Sequence, residues 1–144
     1  MIDLGEEENL WPNLPVIGDR VIPVNQLSPM SLAYLGDAVY ELYVRTAFLL
    51  PLKRSHAYHQ EVVSQVRAEA QAQHLQVLLP KLTEPELNWL KRGRNAAGGG
   101  PRRLDPEIYQ QATSLETLIG YLYLTNPQRL QELLAEISLA PATS

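Results

Sequence analysis

The chain has 144 residues, of which 45% are hydrophobic and 19% are charged, a balance typical of one folded domain. The absence of cysteine excludes disulfides and thiolate metal sites, and it fits the reducing cytoplasm, where we expect the protein to act. No apolar stretch is long enough to span a bilayer, so we expect no membrane partner. The net charge of −4 argues against a generally basic surface for nucleic acid.

Residues 1–26 contain several prolines and show little hydrophobic periodicity, which predicts an N-terminal arm that is partly flexible. We expect Trp11 to anchor this arm to the rest of the protein. The periodic segments begin after the arm and continue to residue 137. The sequence therefore predicts one domain over residues 27–137, followed by a short tail over residues 138–144.

The first predicted helix begins after Ser28, which can cap its first turn, and ends before Pro51. Asp37 lies in the middle of this apolar segment, and Glu41 follows one turn later on the same side. From the residues alone, Asp37 is either a functional carboxylate or a buried acid bonded to a helix end or an arginine. The expected buried stripe consists of Leu32, Leu35, Val39 and Leu42.

Further capping and stop signals predict an all-α fold with five to six or more helices and no strand. Ser55 can cap a helix that Pro80 ends, and Thr83 opens a capping box for a helix that ends at Gly93. Three consecutive glycines predict a mobile loop over residues 94–104. The expected later helices cover residues 55–79, 84–93, 106–124 and 127–137.

A local positive patch contrasts with the negative net charge, because five of the 12 basic residues lie within positions 91–103 and no acid does. Such a patch favours contact with a phosphate backbone, although a solvated loop is the alternative interpretation. We expect Asn95 to orient the loop. The five basic residues are Lys91, Arg92, Arg94, Arg102 and Arg103.

Two glycines lie within predicted helices next to acidic residues. Gly36 precedes Asp37, and Gly120 follows Glu116 by four residues. A glycine in a helix costs roughly 1 kcal/mol relative to alanine, and the close approach of another backbone is the usual compensation. We therefore expect the two helices to cross closely and to bring Asp37 towards Glu116.

Three segments in this order resemble the catalytic domain of ribonuclease III over about residues 27–137. They are Leu35-Gly36-Asp37-Ala38-Val39, Gly98-Gly99-Gly100 and Leu115-Glu116-Thr117-Leu118-Ile119-Gly120. The segment Lys91-Arg92-Gly93-Arg94-Asn95-Ala96 is similar to the mini-ribonuclease III branch, which lacks the usual double-stranded-RNA-binding domain. The resemblance implies a ribonuclease III-like helical fold that forms a homodimer around an RNA duplex, without an added RNA-binding domain.

The resemblance also implies a magnesium-dependent endoribonuclease that hydrolyses double-stranded RNA. Asp37 and Glu116 occupy the family's carboxylate positions, so they are the expected catalytic residues and Mg²⁺ ligands, since Mg²⁺ prefers oxygen. Glu41 is either a further ligand or the partner of Arg45, four residues on. The expected RNA contacts are made by Lys91, Arg92, Arg94, Asn95, Arg102 and Arg103.

The sequence departs from ribonuclease III at two further positions where that family carries acids, because it has Ala33 and Thr113 there. Fewer carboxylates predict weaker metal binding and leave the number of metal ions per site open. The mini-ribonuclease III branch resembles this sequence in having fewer acidic residues at these positions.

By the same resemblance, the expected substrate is the precursor of 23S ribosomal RNA, and a large-subunit ribosomal protein is a possible partner. Two alternatives remain open from the residues. One is a non-catalytic helical RNA-binding module of the same superfamily, and the other is a helical protein-interaction adaptor without RNA affinity.

Overall fold

A computed structural model describes residues 22–137 and residue 139, and these residues form helices and connecting loops without a strand. The predicted all-α fold is therefore confirmed for this part of the chain. None of the described helices is both long and apolar enough to cross a membrane. The helices are α1 (Pro29–Ala47), α2 (Ser55–Val66), α3 (Ala68–Leu78), α4 (Glu84–Ala97), α5 (Pro106–Thr125) and α6 (Pro127–Glu136), with 3₁₀ turns at Val24–Gln26 and Leu79–Lys81.

The N-terminal arm and the C-terminal tail are only partly described. Residues 1–21, with the expected Trp11 anchor, lie outside the described residues, as do residue 138 and residues 140–144. Leu139 packs against the hydrophobic core. The expected boundaries of the arm, domain and tail stay predictions.

Side-chain caps start α1 and α4, as the sequence predicted, but the predicted cap at Ser55 is wrong, because α2 begins at Ser55 itself and its N-cap residue, Arg54, makes no side-chain bond. The Ser28 hydroxyl accepts a hydrogen bond from the Ser31 amide at 3.0 Å. Thr83 and Glu86 form both bonds of the predicted capping box. The Asn126 side chain caps α6 in the same way. These bonds satisfy backbone N–H groups that a helix start leaves without partners.

The prediction of one helix over residues 55–79 is wrong, because the backbone breaks at Arg67. This residue is extended, with φ −68° and ψ 158°, and it separates α2 from α3. The break leaves the Val66 carbonyl without its helical donor, and the Gln71 side-chain amide donates to that carbonyl at 2.7 Å. A side-chain bond thus compensates for the lost helical bond.

The prediction that Gly93 ends its helix is also wrong, because α4 continues to Ala97 and the loop begins only at Gly98. A Cβ atom at Gly93 would lie 2.4 Å from the Thr117 hydroxyl and 3.1 Å from the Ser114 Cα. The glycine therefore lets α4 pack closely on α5. Gly98 has φ 71°, a conformation that glycine adopts readily, and it ends the helix instead.

The core is built around α5, which packs against α1, α3 and α4. One residue of the predicted buried stripe lies outside the core, because Leu42 is 41% exposed. Tyr40 and Val44 are buried on α1 instead of Leu42. In its second half, α1 therefore buries a different side from the one that the predicted stripe implies. Core side chains include Leu32, Val39, Tyr40, Val44, Leu75, Leu78, Leu115, Leu118, Ile119, Leu122, Leu130 and Leu134.

The predicted close crossing of two glycine-bearing helices is confirmed, and the helices are α1 and α5. A Cβ atom at Gly36 would lie 1.8 Å from the carbonyl oxygen of Glu116. A Cβ atom at Gly120 would lie 2.0 Å from the carbonyl oxygen of Leu32. Each helix therefore needs a glycine where the backbone of the other touches it.

Replacing Gly36 with alanine should destabilise the protein by about 3 kcal/mol or more, because the new methyl group would overlap rigid backbone rather than a movable side chain. Urea unfolding followed by circular dichroism measures the change.

Gly99→Ala is the matched control, since nothing lies within 4 Å of its Cβ position. This control should change the free energy of unfolding by less than about 0.5 kcal/mol. Equal stability of the two variants would contradict the crossing.

Candidate active site

The crossing of α1 and α5 brings two carboxyl groups together at the protein surface. Asp37 follows Gly36 on α1 and is exposed. Glu116, whose own carbonyl touches Gly36, is only partly accessible. The Asp37 and Glu116 side chains lie within hydrogen-bond range of each other. The structure thus brings together two acids that are 79 residues apart in sequence (116 − 37).

The proximity of the two acids changes the chemistry of Glu116. Burial, followed by the hydrogen bond and negative charge of Asp37, raises the pKa of Glu116 to about 8. A hydrogen bond from Gln71 acts in the opposite direction. Glu116 therefore tends to keep its proton when no cation is bound, and a bound cation would favour its ionised form.

The donor set of the site fits a hard divalent cation. Mg²⁺ is commonly held by one or two carboxylates, with water and substrate phosphate as the remaining ligands. Within residues 22–137 no group of three or more histidine or acidic side chains is arranged to hold a metal ion. Ala33 and Thr113 are both buried and uncharged. Asp37 and Glu116 are thus the two carboxylates that the described residues offer at this crossing.

Glu41 lies one turn beyond Asp37 and is engaged with a cation of its own helix. Its carboxylate is 3.4 Å from the Arg45 guanidinium, and both side chains are largely accessible. The ion pair that the spacing allowed is therefore formed. Exposed pairs of this kind contribute little to stability, so they leave Glu41 free to exchange partners.

A group of polar side chains behind the carboxylates escaped the sequence reasoning. Gln71 is 3% exposed and its amide nitrogen donates to Glu116 at 3.3 Å. Tyr40 and His74, also buried, are hydrogen-bonded to each other, and the Tyr40 hydroxyl also donates to the Gln65 carbonyl. Burial raises the pKa of Tyr40 and lowers that of His74. The sequence feature that could have revealed these side chains is the presence of polar residues at positions where an amphipathic helix buries its side chains.

Four of the predicted RNA-contacting residues lie on the last turns of α4: Lys91 and Arg92 as expected, and Arg94 and Asn95 instead of in the predicted loop. The Arg92 guanidinium lies 4.0 Å from the ring centre of Trp89. Arg94 and Glu107 form an exposed ion pair at 3.4 Å. The helix therefore holds these side chains in a more ordered arrangement than a mobile loop would.

The remaining basic residues, Arg102 and Arg103, are exposed in the connection between α4 and α5. The basic half of α4 crosses α5 at Ser114 and Thr117, next to Glu116 in the chain. The structure thus places part of the basic patch one helix crossing away from the carboxylates, and none of these cations pairs with Asp37 or Glu116 in the described ion pairs.

A groove of about 270 Å³ lies between α3, α4 and α5, and it is separate from the carboxylate pair. Leucines and polar side chains line it in similar numbers, and the polar ones include Lys91 and Arg94. We place the candidate active site at the carboxylates because no acidic residue lines the groove. An RNA duplex also binds an open surface and needs no enclosed cavity.

Comparison with known proteins gives one family and several close relatives. Residues 30–127 match the model of the ribonuclease III domain. The chain is 60% identical to the Mini-ribonuclease 3 of Synechocystis over 119 residues, which cover 83% of each chain. It is also 60% identical to the Mini-ribonuclease 3 of Synechococcus over 85% of this chain and 91% of that one.

A solved structure is similar as well. The crystal structure of a protein from Fusobacterium nucleatum superimposes with a TM-score of 0.73 at 26% sequence identity. The superposition covers 81% of this chain and 96% of that chain. The arrangement of helices described above is therefore shared with an experimentally determined structure.

The raised pKa of Glu116 predicts that the metal-free protein loses stability as the pH rises from about 4.5 to about 8. Over this range the folded state holds a proton that the unfolded state has released, so raising the pH favours unfolding. Thermal unfolding in a chelator at a series of pH values measures this slope.

Glu116→Gln should flatten the slope because its amide does not titrate. Glu84→Gln, which changes an exposed glutamate on α4, should leave the slope as it is in the unmodified protein. The same slope in all three proteins would contradict the electrostatic account of the pair.

Proposed function

Because the chain belongs to the ribonuclease III family, we propose that it is an endoribonuclease that hydrolyses double-stranded RNA with the Asp37 and Glu116 pair. The observation that carries the assignment of the site is the contact between these two carboxyl groups at the α1–α5 crossing. The family uses a divalent metal, and Mg²⁺ matches the oxygen-only donors of the pair.

The two carboxylates have different tasks in this mechanism. Asp37 faces solvent, so it would hold the cation on the side of the site that is open to the RNA. Glu116 is held from behind by the hydrogen bond from Gln71, so it provides the fixed side of the site. The cation, when bound, activates water and offsets the charge that develops on the phosphate and the leaving oxygen. The protein contributes a fixed pair of oxygen ligands beside an open surface.

The basic residues supply the proposed binding surface for the duplex. A-form RNA is recognised mainly through its shape, its phosphates and its 2′-hydroxyl groups, so cations on a rigid helix suit it. Lys91, Arg92, Arg94 and Asn95 are ordered on α4, and Arg102 and Arg103 extend the surface through the following loop. The ion pair of Arg94 with Glu107 is exposed and can exchange for a phosphate contact.

A second copy of the chain completes the proposed enzyme. Met30 and Tyr34 are 39% and 85% exposed, and their spacing of four residues puts them on the side of α1 that carries Asp37. Apolar side chains in such a row are typical of a protein interface. A two-fold dimer through this surface would place one carboxylate pair near each strand of a duplex, whose strands share the same symmetry.

The relatives named Mini-ribonuclease 3 support an RNA-processing role, and we propose the precursor of 23S ribosomal RNA as the substrate. The paired ends of this precursor offer the duplex that the surface requires. A large-subunit ribosomal protein bound to the RNA is the proposed partner that would add selectivity. Processing of this kind places the enzyme in the cytoplasm.

Asp37→Asn and Glu116→Gln should each reduce cleavage of a defined RNA duplex about a thousandfold or more, because each change removes a charged ligand from the site. Both variants should keep their affinity for the duplex, since neither change removes a positive charge. Gel analysis of the products with Mg²⁺ and with a chelator measures cleavage, and binding is measured in the chelator.

Glu41→Gln is the control within the same helix. Retained cleavage assigns Glu41 to its pair with Arg45, whereas lost cleavage makes it a third carboxylate of the site. Duplex binding without metal-dependent cleavage in the unmodified protein would instead favour a non-catalytic RNA-binding module. Sedimentation of the same samples tests the dimer, because a monomer that cuts both strands would exclude it.

Replacing Arg92 and Arg94 together with glutamine should weaken RNA binding at all sequences and reduce the dependence of affinity on salt. The slope of log affinity against log salt should become less steep by about 2, because each lost phosphate contact changes it by about 1. Fluorescence anisotropy at several salt concentrations measures the slope.

Lys81→Gln is the matched control, because it removes one exposed positive charge from the 3₁₀ turn that precedes α4. This change should leave the slope nearly unaltered. An unaltered slope in the double variant would remove Arg92 and Arg94 from the RNA surface.

A further inference from the structure

Gln71 is the buried side chain that connects the break between α2 and α3 to the carboxylate pair. It lies in the first turns of α3, and its amide nitrogen makes two hydrogen bonds. One goes to the Val66 carbonyl at 2.7 Å, and the other goes to the Glu116 carboxylate at 3.3 Å. One amide group therefore joins the end of α2 to the carboxylate on α5.

The orientation of this amide is determined by its surroundings. The Val66 carbonyl can only accept a hydrogen bond, so the nitrogen of Gln71, and not its oxygen, must face it. The second hydrogen of the same nitrogen then points to Glu116. A donor at this position stabilises the ionised carboxylate and limits its rotation. The carbonyl exposed by the helix break thus ensures that the nitrogen of Gln71, and not its oxygen, faces Glu116.

The two ends of the Gln71 amide differ in their partners. Its oxygen is buried and receives no hydrogen bond from any described residue. A buried acceptor without a donor costs free energy, and the two bonds of the nitrogen, to the Val66 carbonyl and to Glu116, offset that cost. The nitrogen, by contrast, makes both of its bonds. The arrangement therefore favours a role for the amide as a donor to the site.

We propose that Gln71 is a positioning residue, which holds the Glu116 carboxylate in the orientation that binds the divalent metal without itself touching metal or RNA. This inference rests on the proposed function of the Asp37 and Glu116 pair. Residues that hold a metal ligand from behind typically change metal affinity by about 10- to 100-fold when they are replaced. Gln71 would be such a residue on a third helix, α3, which packs against the helix that carries Glu116.

The test compares Mn²⁺ binding to the full-length protein in the absence of RNA, by isothermal titration or by the electron paramagnetic resonance of free Mn²⁺. Gln71→Met keeps the length of the side chain but cannot donate, and it should weaken Mn²⁺ binding about 10- to 100-fold. In cleavage assays the same variant should need more Mg²⁺ for half-maximal rate and should approach the unmodified rate at saturating Mg²⁺. Gln71→Leu serves the same purpose if Gln71→Met does not fold.

Tyr40→Phe is the matched control for general loosening of this region. It removes the hydroxyl that donates to the Gln65 carbonyl and is hydrogen-bonded to the buried His74, close to the Val66 bond that Gln71→Met loses. No hydrogen bond joins Tyr40 to Glu116 among the described contacts. Mn²⁺ affinity should be unchanged in this variant. Equal weakening by Tyr40→Phe and Gln71→Met would overturn the proposal, because the loss would then come from looser packing.

Glu116→Gln separates this inference from the function on which it rests. Weak Mn²⁺ binding by Glu116→Gln together with unchanged binding by Gln71→Met would overturn the positioning role and leave the metal site intact. Unchanged binding by Glu116→Gln would overturn the metal site itself, and the positioning role with it. Weak binding by Glu116→Gln and by Gln71→Met, with normal binding by Tyr40→Phe, is the expected result.

Discussion

The backbone contact between α1 and α5 is the constraint on which both the core and the site depend. At Gly36 and Gly120 the two helices approach so closely that a single methyl group would overlap a carbonyl oxygen of the other helix. Each glycine costs helix stability, and the compensation is the burial of the apolar sides of both helices. The same contact touches the backbone of Glu116, so folding and the assembly of the carboxylate pair are one event.

The carboxylate pair is a place where the fold tolerates an unfavourable local arrangement. Burial and the neighbouring Asp37 both oppose ionisation of Glu116, and its raised pKa records that opposition. A divalent cation would reverse the balance, because it favours both negative charges. Metal binding and stability of this region are therefore linked, as is common for sites where function requires charges that folding alone would avoid.

The basic surface is positioned by packing rather than by charge. Gly93 allows α4 to lie against Ser114 and Thr117 of α5, and the residues directly before and after Gly93 carry the cations of this helix. The buried Thr117 hydroxyl donates within α5 to the Thr113 carbonyl at 2.9 Å and is also 3.3 Å from the Pro29 carbonyl on α1. The middle of α5 thus joins the helix that bears Asp37 to the helix that bears the basic residues.

Signals that act within a few residues could be read from the sequence. Capping at Ser28 and Thr83, the apolar periodicity and the two glycines beside acids were sufficient to predict an all-α fold and the close crossing near Asp37. The motifs also indicated the family, which the ribonuclease III domain match confirms. These features are local because a cap or a helical period depends only on neighbouring residues.

Features that depend on distant contacts were decided only by the tertiary structure. The continuation of α4 through Gly93 could not be predicted, because it depends on the close packing of α5, which follows later in the chain. The role of Gln71 depends in the same way on Glu116, 45 residues away. The sequence by itself determined which residue types were available for the chemistry. Packing around α5 decided which of them meet, because the distance between two side chains is a property of the folded chain.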